Sequence, residues 1–189
     1  MSVNDLSSPQ AMNKDKCPDC GASVVGGRAG CQALFDEITA QALGDLRYAT
    51  VHPLAFDAYC MQHADSYGVS AKSYAAHLTR LCCGLEFSGD PTIYAAIQKW
   101  LNGTVEIEKP VVLSYRGRLT VVDVRAARNV EEHKQRVREW AESVWEAYSS
   151  QHDLAHTWIE AALTAKDKKL QQRSKYRICS HHDDNKGNR

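Results

Sequence analysis

Apolar residues recur at intervals of three and four along most of this chain, which is the spacing of one face of an α-helix. The clearest repeat begins at Val130 and continues through Val137, Trp140 and Val144 to Tyr148. Elsewhere, prolines at first turns and glycines at last turns mark the ends of helices. The pattern predicts a mainly α-helical fold, a single bundle of about seven helices. These helices are expected at residues 31–43, 53–63, 71–87, 91–102, 130–152 and 153–163, with a short one after Thr120.

One segment departs from the helical pattern. In residues 105–119, "VEIEKPVVLSYRGRL", polar and apolar residues alternate and β-branched residues are frequent. Pro110 has no N–H to donate, which keeps this segment out of the centre of a sheet. We therefore expect a short extended arm or a hairpin between two of the helices.

Charge is balanced over the whole chain, which has 23 Lys and Arg residues and 23 Asp and Glu residues. Such a protein lacks the basic field that attracts nucleic acid. Residues 166–189 carry a net charge of +5, however, and are expected to form a basic, disordered tail. Nucleic-acid binding is therefore expected to be weak at most, through this tail. Residues 1–16 are expected to be a mobile leader, and 17–165 a single domain with a zinc knuckle.

The cysteines point to a metal rather than to disulfides. No stretch reaches the roughly 18 apolar residues of a membrane span, and the N-terminal residues lack the apolar core of a signal peptide. We therefore expect a cytoplasmic protein without membrane contact. Thiols stay reduced in that compartment, so the seven cysteines are interpreted as metal ligands and buried thiols.

Three cysteines lie close together in "KCPDCGASVVGGRAGC", residues 16–31. Cys17 and Cys20 form a C-P-x-C-G knuckle, in which two intervening residues let both sulfurs face one ion and the glycine permits the turn. Cys31 follows at or near the start of a predicted helix, where the helix dipole favours a thiolate. Three thiolates at this spacing predict a zinc site with one tetrahedral position left to fill.

The fourth ligand is expected to be a histidine, because no other cysteine lies nearby. Predicted helices 31–43 and 53–63 are joined by a short connection, which favours an antiparallel pair. The end of the second helix then returns to the start of the first, where the third cysteine lies. His63 lies at this end, whereas His52 lies about 15 Å away along the helix. We therefore predict His63 as the fourth ligand, with His77 as the second choice.

Several histidines fall on helix faces that the pattern predicts to be buried. His77, His133 and His152 lie among apolar residues on different helices. If these faces meet, the imidazoles and nearby carboxylates could line a polar pocket that binds an ion or a ligand. Alternatively, each histidine donates a hydrogen bond to a local backbone carbonyl and fixes helix packing. The full set of candidate pocket residues is His52, Asp57, His77, Glu86, His133 and His152.

The chain resembles a family of uncharacterised bacterial proteins, a domain of unknown function, from Cys17 to about Trp158. The resemblance rests on "CPDCG", the "GC" at Gly30 and Cys31, "VHPLAFDAYCMQH", "AAHLTRLCCGLE", "LTVVDV" and "EEHKQRVREWAESVWEAY". It implies no activity. It implies that the following residues occupy motif positions, whereas His156 does not: Cys17, Cys20, Cys31, His52, Asp57, His63, His77, His133 and His152.

Two functions are compatible with these features. In the first, the zinc is structural and the protein is a binding or regulatory module that recognises a protein or a small molecule. In the second, the histidine and carboxylate pocket is the centre of a metal-dependent, hydrolase-like enzyme. The number of metal ions per chain separates them, because the enzyme needs a second ion with an open coordination position.

Overall fold

The computed structural model describes residues 15–180, with side chains as far as Lys166. This part of the chain forms nine α-helices, one 3₁₀ turn and a two-stranded antiparallel sheet. The predicted mainly α-helical fold is therefore confirmed, whereas the predicted leader falls mostly on residues 1–14, outside the described residues. The elements are β1 (Asp15–Lys16), β2 (Ser23–Val24), α1 (Gly27–Gly44), α2 (Leu46–Ala49), α3 (His52–Gln62), α4 (Ala64–Tyr67), α5 (Ala71–Glu86), α6 (Pro91–Leu101), α7 (Val121–Arg125), α8 (Val130–Ala147), the 3₁₀ turn (Ser149–Gln151) and α9 (His152–Ser180).

Helix starts follow the capping signals in the sequence. The hydroxyl of Ser70 accepts a hydrogen bond from the backbone N–H of Ser73 at the start of α5, and Thr120 forms a capping box with Asp123 at the start of α7. The four-residue helices α2 and α4 were not expected, because one turn is too short to show a hydrophobic repeat.

Helix α3 lies at the centre of the bundle. It packs against α5 and α8, while α9 packs against α5 and α6. Large aromatic side chains from these helices fill the core, and Tyr59, Tyr74, Trp140 and Tyr148 are fully buried. None of the helices within the described range has an apolar stretch long enough to cross a bilayer. The C-terminal end of α3 emerges from this core beside the N-terminal sheet.

Residues 105–119 form an extended arm, and the hairpin alternative is wrong for this segment. Side chains of neighbouring helices, rather than a second strand, pair with its backbone. The amide of Gln62 on α3 donates to the carbonyls of Arg116 and Leu119, at 3.1 and 2.7 Å. The hydroxyl of Ser143 on α8 accepts a hydrogen bond from the N–H of Leu119 at 3.1 Å. The arm is thus fixed to the centre of the bundle.

Helix α9 continues to Ser180, beyond the boundary predicted at residue 165. Residues 166–180 therefore have a helical backbone, whereas the sequence predicts that this segment is disordered. The segment contains neither glycine nor proline, and its lysine, arginine, glutamine and leucine residues have high helix propensity. Residues 181–189, the rest of the predicted tail, lie outside the described residues.

Truncation after Ala165 is expected to leave the fold intact. Ala162 is the last fully buried side chain described on α9, so the shortened chain keeps the packing of α9 on α5 and α6. We expect the melting temperature to change by less than about 3 °C, the equivalent of about 1 kcal/mol, in a circular dichroism melt. Truncation after Thr157, which also removes Trp158 and Ile159 from the core, should unfold the protein. A large loss of stability in the first truncation would contradict the predicted domain boundary.

Candidate metal centre

Three sulfurs and one imidazole nitrogen meet where the N-terminal sheet contacts the bundle. The Nε2 of His63 lies 3.6 Å from the Sγ of Cys17 and 3.5 Å from the Sγ of Cys31. The Sγ atoms of Cys20 and Cys31 are 3.7 Å apart. All four ligand atoms lie within 4.8 Å of one another, and the three cysteines are free thiols. This Cys₃His group can hold a metal ion.

The first two cysteines lie on a tight turn between β1 and β2. The strands pair in an antiparallel register, and the N–H of Cys17 donates to the carbonyl of Ala22 at 2.9 Å. Gly21 has a φ of 76°, which glycine adopts at little cost, and its N–H donates to the carbonyl of Cys17 at 2.8 Å. The turn therefore places the sulfurs of Cys17 and Cys20 on the same side.

Cys31 lies in the second turn of α1 and is fully buried. The helix begins earlier than predicted, at Gly27, and both Gly27 and the preceding Gly26 have positive φ. No Ser, Thr, Asp or Asn caps this end, so the usual sequence signal for a helix start is missing. The start of α1 is instead fixed by its contacts with β1 and β2.

Gly30→Ala is expected to disrupt this junction. A Cβ at Gly30 would lie 2.0 Å from the carbonyl oxygen of Val25, so the backbone next to Cys31 would have to shift. Overpacking of this kind costs about 1–3 kcal/mol, and we expect both a lower melting temperature and a lower metal content. Gly44→Ala is the matched control, because a Cβ there meets nothing within 4 Å. Equal stability and metal content in the two variants would contradict this role for Gly30.

His63 follows directly after α3, and two contacts with Tyr59 hold its ring in place. Its Nδ1 donates to the backbone carbonyl of Tyr59 at 2.8 Å, and the two rings stack with centroids 4.0 Å apart. Because a carbonyl only accepts, Nδ1 carries the proton and the lone pair of Nε2 faces the sulfurs. The other two histidines considered for this position, His52 and His77, are not members of the Cys₃His group.

The thiols of this group interact strongly with one another. A hydrogen bond with the Cys31 thiol lowers the pKa of Cys20 to about 4, and the same bond raises the pKa of Cys31. Burial raises the pKa of Cys17. Ionising all three thiols in so small a volume requires a compensating positive charge, which a divalent cation supplies.

Two of the candidate pocket residues are in direct contact, Asp57 and His77. The Nδ1 of His77 donates to the fully buried carboxylate of Asp57 at 3.0 Å. The Nε of Arg80 also donates to this carboxylate at 3.0 Å, so Asp57 has a permanent positive partner. The pair ties α3 to α5.

The remaining histidines of the candidate pocket have separate partners. His52 contacts the hydroxyl of Thr39 at 3.1 Å. His133 packs edge-on against the ring of Tyr48. His152 donates from Nε2 to the carbonyl of Trp145 at 2.9 Å and stacks on its indole. The bond of His152 to a backbone carbonyl is the local contact expected of a structural histidine.

Glu86 belongs to a different group, which the sequence did not indicate as a whole. Its carboxylate accepts hydrogen bonds from Trp145 Nε1 at 2.9 Å and from His156 Nε2 at 2.7 Å. Partial burial opposes ionisation of Glu86, but these hydrogen bonds lower its pKa overall. Cys82 lies one turn away on α5, and burial raises its pKa to about 12. Cys82, Glu86 and His156 form the second group in the described residues that can hold a metal ion.

One comparison with known proteins identifies the family. The profile described as "Family of unknown function (DUF5946)" matches residues 15–149, which include the whole Cys₃His group and every helix from α1 to α8. The match ends before Trp158, which is the approximate limit of the resemblance seen in the motifs. His152 and His156 therefore lie beyond the matched residues. No curated protein and no solved structure matches the chain. The chain therefore belongs to this family of unknown function.

Proposed function

We propose that the protein is a zinc-stabilised binding or regulatory module, in which Cys17, Cys20, Cys31 and His63 hold one structural zinc ion. The observation that carries the proposal is the arrangement of these four ligand atoms around a common centre. We place the module in the cytoplasm, where the thiols stay reduced.

The distances between the ligand atoms support a tetrahedral zinc ion. Zinc bonds of about 2.3 Å to sulfur and about 2.05 Å to nitrogen imply sulfur pairs about 3.8 Å apart and sulfur–nitrogen pairs about 3.6 Å apart. The sulfurs of Cys20 and Cys31 are 3.7 Å apart, and Nε2 of His63 lies 3.5 and 3.6 Å from two sulfurs. Little rearrangement is needed to bind the ion.

The ligand set supports a structural role. Four protein ligands complete the tetrahedron, whereas catalytic zinc keeps one position for water or substrate. Cys17, Cys31 and His63 are almost fully buried, which limits access to the ion. The zinc would join the N-terminal turn, α1 and the end of α3.

A binding function fits this structural site better than the alternative enzyme. A metal-dependent hydrolase needs an open coordination position, which the Cys₃His group does not offer. The Asp57 and His77 pair is neutralised by Arg80, so it is poorly suited to hold a catalytic cation. We expect the partner to be a protein or a small molecule rather than a nucleic acid, because the charge of the chain is balanced.

Zinc analysis of Cys20→Ser tests the structural site. We expect this variant, purified without chelator, to contain about one zinc ion fewer per chain than the wild type and to melt at a lower temperature. Cys60→Ser is the control, because Cys60 is buried and free but lies outside the Cys₃His group. If Cys20→Ser retained the zinc content of the wild type, the proposal would be wrong.

A further inference from the structure

A second set of metal-ligating side chains lies between α5 and α9. Cys82 and Glu86 are four residues apart and therefore share a face of α5, and His156 approaches them from α9. One ligand atom from each lies within 4.8 Å of the other two. The set offers a thiolate, a carboxylate and an imidazole, which are the ligand types that zinc and neighbouring divalent transition metals bind.

The charge of this cluster distinguishes it from the carboxylate–histidine pair formed by Asp57 and His77. Asp57 pairs with Arg80 as well as with His77. Glu86, in contrast, pairs with His156 and with no Lys or Arg among the described residues. Binding of a divalent cation would release the proton of the Cys82 thiol. The thiolate and the ionised Glu86 would then carry two negative charges, which the cation neutralises.

The indole of Trp145 orients the carboxylate. Its Nε1 donates to Oε1 of Glu86 at 2.9 Å, which leaves Oε2 directed toward His156. The ring of His152 stacks on this indole with the ring centroids 3.8 Å apart, and its Nε2 donates a hydrogen bond to the backbone carbonyl of Trp145. Neighbours of this kind hold metal ligands in position in known sites. Trp145 and His152 would thus be positioning residues.

Binding of an ion requires one local change. The Nε2 of His156 and the Oε2 of Glu86 are 2.7 Å apart, whereas the nitrogen and oxygen ligands of a tetrahedral zinc ion are about 3.4 Å apart. The ion must therefore replace this hydrogen bond. The side chains of Glu86 and His156 are 35% and 39% exposed, so both can rotate, while the fully buried Cys82 closes the inner side.

We infer that Cys82, Glu86 and His156 form a second site for a divalent transition metal ion, with zinc as the best-suited ion. Three protein ligands leave the fourth tetrahedral position open toward solvent, on the side of Glu86 and His156. Such a position accepts water or a small anion, so an ion bound here would favour the alternative enzyme over the binding module. The inference does not depend on the Cys₃His site, since the two groups share no residue.

Sequential loading of the full-length protein with two metals tests this site. One equivalent of zinc fills the Cys₃His group first, and cobalt is then added. Cobalt binds less tightly than zinc at comparable sites, so it does not displace the zinc ion. We expect one further equivalent of cobalt to bind, with a near-ultraviolet charge-transfer band from a single thiolate. Addition of azide should change the visible cobalt spectrum, because one coordination position is open.

Three variants assign the second ion to its ligands. His156→Gln and Glu86→Gln should each abolish the cobalt signal, and glutamine at position 86 can still accept the hydrogen bond of Trp145. His52→Gln, a histidine outside both groups, should retain it. Circular dichroism establishes that each variant is folded. The inference is overturned if the first zinc is lost in Cys20→Ser, and so lies in the Cys₃His group, but the zinc-loaded wild type binds no second ion. It is also overturned if the signal survives in both His156→Gln and Glu86→Gln.

Discussion

His63→Gln is expected to release the zinc ion and to lower the melting temperature by roughly 10 °C. A zinc ion present at about a thousand times its dissociation constant stabilises the folded state by about 4 kcal/mol. A domain of this size loses about 2–4 °C for each kcal/mol. Glutamine does not replace the imidazole nitrogen that faces Cys17 and Cys31 at 3.6 and 3.5 Å. The measurement is a pair of thermal melts combined with zinc analysis.

His52→Gln is the control for this experiment, because His52 lies at the start of α3, whereas His63 follows the end of this helix. It contacts Thr39 and lies outside the Cys₃His group, so its substitution should leave the zinc content unchanged. A second comparison uses metal-free protein. There, the difference in stability between wild type and His63→Gln should shrink, because the ion is absent from both. Unchanged zinc content in His63→Gln would exclude His63 as a ligand.

The metal group could be predicted from the sequence because its members are fixed by local structure. Two residues between Cys17 and Cys20 define a turn, and that turn determines where both sulfurs point. Cys31 and His63 follow from the order of two helices that are joined by a short connection and therefore return toward each other. Each step depends on spacing along the chain, which the sequence records directly.

The group formed by Cys82, Glu86 and His156 could not be predicted in the same way. The spacing of Cys82 and Glu86 shows that they share a helix face, but hydrophobic periodicity does not show which helix covers that face. His156 comes from α9, which packs against both α5 and α6. The bond from Trp145 to Glu86 joins α5 to a third helix, α8. Only the packed structure brings these elements together.

The arm shows a similar limit. Alternating residues in 105–119 predicted an extended backbone, which the structure has, but could not show what its N–H and C=O groups would bond to. A hairpin satisfies these groups with a second strand, whereas here side chains from α3 and α8 do so. The position of this arm therefore depends on buried polar residues such as Gln62 as much as on the sequence of the arm itself.

Gln62 is the main polar contact at the centre of the bundle. It is fully buried, and its Oε1 accepts a hydrogen bond from Trp140 Nε1 at 2.9 Å. Its Nε2 donates to the carbonyls of Arg116 and Leu119, and its own carbonyl accepts a hydrogen bond from Arg116 at 3.0 Å. One amide side chain thus joins α3, α8 and the arm, next to the metal ligand His63.

Gln62→Leu is expected to lower the free energy of unfolding by about 3–5 kcal/mol, since each buried polar group left without a partner costs about 1–3 kcal/mol. Leucine fills a similar volume but leaves the indole N–H of Trp140 and two carbonyls of the arm unpaired. Urea unfolding measures the loss of stability.

Gln98→Leu, at an exposed position on α6, is the control and should change stability by less than about 0.5 kcal/mol. Trp140→Phe removes the indole donor, so it should cost less in the Gln62→Leu background than in the wild type. A loss below about 1 kcal/mol in Gln62→Leu, or equal costs of Trp140→Phe in both backgrounds, would show that the arm and α8 do not depend on this amide.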